Sequence, residues 1–128
     1  MSGVQRLTDY LEHILEAVGR IRSYTAGLSE ADFLAGTLVQ DAVIRNLEII
    51  GEASRNIERR FPEFATAHPE LPLASAYQMR NVVAHGYFEV DLEIVWKTVE
   101  RDLPGLALQV RAAQKDLTSA AQADDSGQ

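Results

Sequence analysis

Leu7, Leu11, Ile14, Leu15, Val18 and Ile21 recur at spacings of three and four residues. Val39, Val43, Leu47, Ile50, Ala53 (or Ser54) and Ile57 repeat the pattern farther along. This is the period at which an α-helix buries one apolar stripe, and it does not fit a strand, whose inward residues alternate. Two stripes of several turns each must be buried against one another or against further helices. No alternating run longer than a few residues competes with them. The pattern predicts an all-α, up-and-down bundle of four main helices plus short helical pieces.

Local signals place the elements. The first helix is predicted over 4–24, with Tyr10 on its apolar face, and Gly27 supplies a turn. Ser29-Glu30-Ala31-Asp32 reads as a capping box opening a short helical turn with Phe33 and Leu34, which Gly36 breaks. Thr37-Leu38-Val39-Gln40 reads as a second box, opening a helix to about Arg60 that Phe61-Pro62 ends. A loop punctuated by Pro69 and Pro72 follows. A fourth helix is predicted from Pro72 to about His85, with Gly86 just past its end. Asp91 suits the N-cap of a fifth, carrying Ile94, Val95 and Val99 inward with Trp96 flanking. Pro104 should kink or restart it, and 105–117 complete the fold. Residues 1–117 are thus expected to form one domain, and the small, polar, acidic stretch 118–128 a disordered tail.

Composition narrows function. The 128 residues include no cysteine, which removes disulfides, thiolate zinc sites and thiol nucleophiles. No apolar run approaches the length of a membrane span. The first residues lead into a pattern already carrying Asp9 and Glu12, unlike a signal peptide. A cytoplasmic protein without membrane contact is the expectation. The formal net charge of −7 opposes nucleic acid in bulk, so any such ligand needs a local cationic site. There is no glycine-rich phosphate loop, nucleophile elbow, His-Glu-x-x-His or Glu-x-x-His. The Glu12/Glu16 and Glu48/Glu52 pairs read as solvated faces. No metal or cofactor is expected.

Chemistry concentrates in Arg80-Asn81-Val82-Val83-Ala84-His85-Gly86-Tyr87. On a helix Asn81 and His85 share a face one turn apart, so the amide can orient the imidazole. Arg80 flanks them and offers a planar cation suited to phosphate. The dipole of a helix C-terminus favours a charged imidazole and a neighbouring arginine disfavours it, a balance suited to general acid–base work. Such a set fits phosphoryl transfer without a metal; the same residues also fit an ordinary C-cap. Arg55, Arg59 and Arg60 form a modest basic cluster, either a solvated helix end or a place for further phosphate contacts. His13 reads as a boundary residue, His68 as solvated, and Tyr77 and Trp96 as core or dimer packing.

Arg80-x4-His85-x-Tyr87 resembles the Arg-x4-His-x-Tyr motif of HEPN-fold ribonucleases, specifically the HepT-like toxins of type VII toxin–antitoxin systems. Leu47-Glu48-Ile49-Ile50-Gly51-Glu52-Ala53 resembles that family's middle-helix signature. Phe88-Glu89-Val90-Asp91-Leu92-Glu93-Ile94-Val95-Trp96 followed by Asp102-Leu103-Pro104 resembles its C-terminal run. The resemblance spans about residues 4 to 115. It implies a homodimer with a composite cleft and metal-independent RNA cleavage, with Arg80 and His85 catalytic and Asn81 supporting. It also implies a minimal nucleotidyltransferase antitoxin that silences the toxin by adenylylating Tyr87. One departure is Leu73-Ala74-Ser75, where the family's helix has an aromatic, Trp-Arg-like start after the proline. The same fold could alternatively be a non-catalytic accessory subunit that binds a nucleotidyltransferase or its nucleotide, which the acidic composition favours.

Overall fold

The computed structural model describes residues 3–78 and 91–126. Three long helices dominate: α1 (Gly3–Thr25), α3 (Thr37–Arg60) and α7 (Leu103–Ser126). Between them lie α2 (Glu30–Ala35), α4 (Pro62–Ala67), α5 (residues 73–78) and α6 (Leu92–Lys97). The described residues contain no strand.

The two apolar stripes do what their period requires. Leu11, Ile14, Ala17 and Ile21 of α1 are sealed from solvent, as are Val43 and Ile57 of α3, with Leu7, Val18, Leu47, Ile50 and Ala53 nearly so. The helices run antiparallel. Arg20 of α1 donates to Asn46 Oδ1 of α3 (3.3 Å), while Tyr10 meets Phe61, just past the end of α3, edge to face at 6.4 Å. Val110 and Ala113 of α7 complete the core, and Gln114 Nε2 reaches Glu12 Oε2 of α1 (2.9 Å).

Caps account for most element boundaries. Gly27 takes φ +76°, the left-handed turn that glycine enters without penalty. Ser29 and Asp32 form the expected reciprocal box. The second predicted box does not form. Gly36 is the N-cap of α3 and offers no side chain, and Thr37 lies inside the helix. Gln40 instead turns back, its Nε2 donating to the carbonyls of Phe33 (2.9 Å) and Leu34 (3.1 Å) at the end of α2. The carboxamide is more useful on these orphan carbonyls than on an amide, because a helix end leaves its last C=O groups unpaired. The expected loop after Phe61 contains α4, whose first residue Pro62 needs no N–H there.

Asp91 caps α6, its Oδ1 accepting from the amides of Glu93 (3.0 Å) and Ile94 (3.2 Å). The phase this sets corrects the predicted inward face. Val95, Trp96 and Val99 are buried, whereas Ile94 is 49% exposed. Trp96 belongs to the core, its ring 5.3 Å from that of Phe33 in α2. Pro104 does not interrupt the helical backbone. The helix passes through a π turn at Thr98–Asp102, where the Leu103 amide donates to Thr98 O, and continues as α7. The wider turn lies immediately before a proline that lacks an N–H and whose ring crowds the carbonyl four residues earlier. The α7 backbone stays helical to Ser126, through a stretch where composition predicts disorder; alanines at 120, 121 and 123 are strong helix formers.

Ser54 is sealed from solvent, and its Oγ has no hydrogen-bond partner among the described residues. Removing a buried, unpaired hydroxyl removes its desolvation penalty. Ser54→Ala is therefore expected to raise unfolding free energy by about 1 kcal/mol in urea titration; destabilisation would mean that the hydroxyl is paired.

Candidate functional site

Arg80, Asn81, His85 and Tyr87 lie outside the described residues, as does most of the predicted helix from Pro72 to His85. The described structure fixes what stands on either side of them in the chain. The motif begins two residues after Gln78, at the end of α5, and is followed four residues later by the Asp91 cap of α6. Both flanks are tied to the core, one by buried Leu71 and Leu73 and the other by Val95 and Trp96.

The approach through α5 carries a contact that spacing alone does not reveal. Tyr77 is half-buried, and the Arg55 guanidinium carbon sits 4.6 Å from the centroid of its ring. This is a cation–π distance, and it links the exposed side of α3 to α5. Arg59 and Arg60, in the last turn of α3, are exposed. The basic cluster therefore divides: Arg55 is seated on an aromatic ring of α5, which precedes the motif in the chain, and its neighbours lie at the helix end.

Sequence reading also missed a groove of about 450 Å³ next to α5. Ser75 and Ala76 form one side, Leu47 and Ile50 of α3 and Leu103 and Leu106 of α7 contribute apolar surface, and Thr98, Arg101 and Asp102 come from the π turn. Its volume lies in the range of small-ligand sites. The available signal was Asp102-Leu103-Pro104, because a proline that follows a helical pattern without breaking it demands an irregular turn.

The histidines and acidic pairs settle differently. His13 is exposed at the edge of Tyr10. His68 is not simply solvated: its ring lies over Phe64 with centroids 4.3 Å apart, and Nδ1 is 3.0 Å from Glu70 Oε2. The Glu70 carboxyl is held below the usual carboxylate range by a backbone amide hydrogen bond first and the His68 hydrogen bond second. Glu12 and Glu16 are exposed, as the solvated-face expectation requires.

The family model described as Ribonuclease HepT-like matches residues 14–113. The chain is 47% identical over 98 residues to "Probable ribonuclease HepT" of Thermococcus cleftensis, covering 77% of this chain and 86% of that protein. It is 36% identical over 102 residues to a "Putative RNase" of Caldanaerobacter subterraneus, covering 80% and 88% respectively. A third relative, "Gamma-glutamylcyclotransferase and putative RNase" of Methanocaldococcus jannaschii, is 38% identical over 108 residues. That match covers 84% of this chain but 47% of the longer protein. No solved structure matches. The fold is thus that of a helical bundle, and the chain belongs to the HepT-like ribonuclease family.

Proposed function

We propose that this protein is a metal-independent endoribonuclease, the toxin of a toxin–antitoxin pair, acting as a cytoplasmic homodimer. The observation that carries this is the intact Arg80-x4-His85-x-Tyr87 set within a family match spanning residues 14–113, to relatives that bear ribonuclease names. His85 removes the proton from a ribose 2′-hydroxyl. The freed oxygen attacks the adjacent phosphorus, and the bond to the 5′-oxygen of the next nucleotide breaks. A 2′,3′-cyclic phosphate and a 5′-hydroxyl result. Arg80 stabilises the charge that builds on the phosphorus oxygens, and Asn81 holds the imidazole in position. The leaving 5′-oxygen must gain a proton on the side of the phosphorus opposite the attacking 2′-oxygen, where the imidazole that served as base does not reach. A second copy of His85 across a molecular two-fold resolves this, which is why the site needs a dimer.

Tyr87 is the point of control. A minimal nucleotidyltransferase antitoxin would transfer an adenylyl group from ATP to its phenol, releasing pyrophosphate. The anionic nucleotide would then occupy the cleft and neutralise Arg80. Incubated with ATP and such an enzyme, the chain should gain the mass of an adenylyl group and lose RNA cleavage, and Tyr87→Phe should gain nothing. A modified Tyr87→Phe protein would move the control point elsewhere. The activity itself is tested by incubating purified protein with single-stranded RNA in excess EDTA. Cleavage is expected, and intact RNA across varied substrates would favour a non-catalytic accessory subunit.

A further inference from the structure

A chain of net charge −7 that handles a polyanion must compensate locally. The last two turns of α3 supply such a place. Residues 55–60 hold three arginines against one glutamate, and all three arginines are exposed. Arg55 and Arg59 stand one helical turn apart and so share a face. Among the described residues Arg55 is the one of the three seated on a ring: its guanidinium lies over Tyr77 of α5, three residues before Arg80 in the chain.

Seating changes what an arginine can do. A free surface arginine loses rotamer entropy when it binds a phosphate. One held against an aromatic ring has already surrendered part of that freedom, while its N–H edge stays available to a ligand. The contact joins α3 to α5, so the cation keeps a fixed relation to the segment that precedes the motif in the chain. We infer that Arg55, held on Tyr77, is an RNA-binding residue that grips a backbone phosphate of the substrate and sets substrate affinity rather than the chemical step. Arg59 extends the same cationic face by one turn. This inference rests on the ribonuclease function proposed above.

The rival role is mechanical, a clamp fastening α5 to α3 that never meets a ligand. Salt dependence separates the two. Each phosphate neutralised on a single strand contributes about 0.7 to the slope of log affinity against log salt. Binding of a fluorescent single-stranded RNA is measured with full-length protein carrying His85→Ala, so that the RNA stays intact, between 50 and 200 mM NaCl. Adding Arg55→Ala should weaken binding on the order of tenfold at the lowest salt and reduce the slope by about 0.7. Arg55→Lys should restore most of the slope and only part of the affinity. Tyr77→Leu, which keeps the charge but removes its seat, should retain the slope and weaken binding. In the cleaving protein, Arg55→Ala should raise KM with kcat nearly unchanged.

Unchanged affinity and slope in a folded Arg55→Ala protein would overturn the inference. So would a loss of affinity that follows the loss of thermal stability with the slope intact, because a clamp behaves that way. If the unsubstituted chain cuts no RNA but binds it with an Arg55-dependent slope, the proposed activity fails and the binding role stands. If it cuts RNA and Arg55→Ala leaves KM unchanged, the binding role alone fails.

Discussion

His85→Ala should leave a folded, helical protein whose RNA cleavage falls by a factor on the order of 10² to 10⁴, the contribution expected of a general acid–base group. The expectation follows from the chemistry of the chain. There is no cysteine to act as an alternative nucleophile, and no glycine-rich loop or His-Glu-x-x-His offers another recognisable route. Among the three histidines, His13 lies exposed on α1, and His68 is engaged by Phe64 and Glu70. Only His85 stands in the Arg-x4-His-x-Tyr spacing. Arg80→Ala should cause a loss of about 10² to 10³ by removing charge stabilisation in the transition state. The two losses should not multiply if both residues serve one transition state. Initial rates on a fixed RNA, with circular dichroism to confirm folding, check both. His13→Ala and His68→Ala should retain cleavage, and a comparable loss in either would move the general base away from His85.

The largest structural effect is expected at Phe33. The short helix α2 has no other buried side chain, and a six-residue helix does not persist in water unaided. Its hold on the bundle is the Phe33 ring, sealed from solvent and tilted 34° against Trp96. Phe33→Ala should cost about 3 to 5 kcal/mol, through lost transfer energy, an unfilled cavity and a lost aromatic pair. That is a large share of the 5 to 15 kcal/mol typical of a whole domain. Phe33→Leu should cost less, because most of the volume remains. The damage should reach function. Trp96 anchors α6, which follows the motif in the chain, so loosening its partner loosens one flank of Arg80–Tyr87. Urea unfolding gives the stability change, and an Ala substitution costing under about 1 kcal/mol would show that the contact with Trp96 is dispensable.

The fold was legible where one physical rule decided the outcome. The helical period located α1 and α3 and their buried faces, and Ser29 and Asp91 announced the starts of α2 and α6. Errors arose where two local rules competed. Thr37 and Gln40 satisfy a capping pattern, but α2 ends immediately before them and its unpaired carbonyls claim the glutamine. Ile94 is as apolar as Val95, yet the Asp91 cap sets a helical phase that turns Val95 and Trp96 inward and leaves Ile94 half in water. Pro104 reads as a breaker, whereas a π turn carries the helix past it. The chemistry proposed for Arg80, Asn81, His85 and Tyr87 rests on spacing and on the ordered likeness on both sides, and those residues lie outside the described structure. The Arg55–Tyr77 contact was not legible, because it joins residues on separate helices with no periodic relation between them.

RNA cleavage through the 2′-hydroxyl, with His85 moving the proton, dictates the chemistry of both new ends. Mass spectrometry of a defined RNA oligonucleotide, incubated with purified protein in excess EDTA, tests it most directly. A fragment ending in a 2′,3′-cyclic phosphate, paired with one beginning in a 5′-hydroxyl and absent with His85→Ala, is the predicted result. Fragments ending in a 3′-hydroxyl beside a 5′-phosphate, or cyclic ends that persist in His85→Ala, would contradict it.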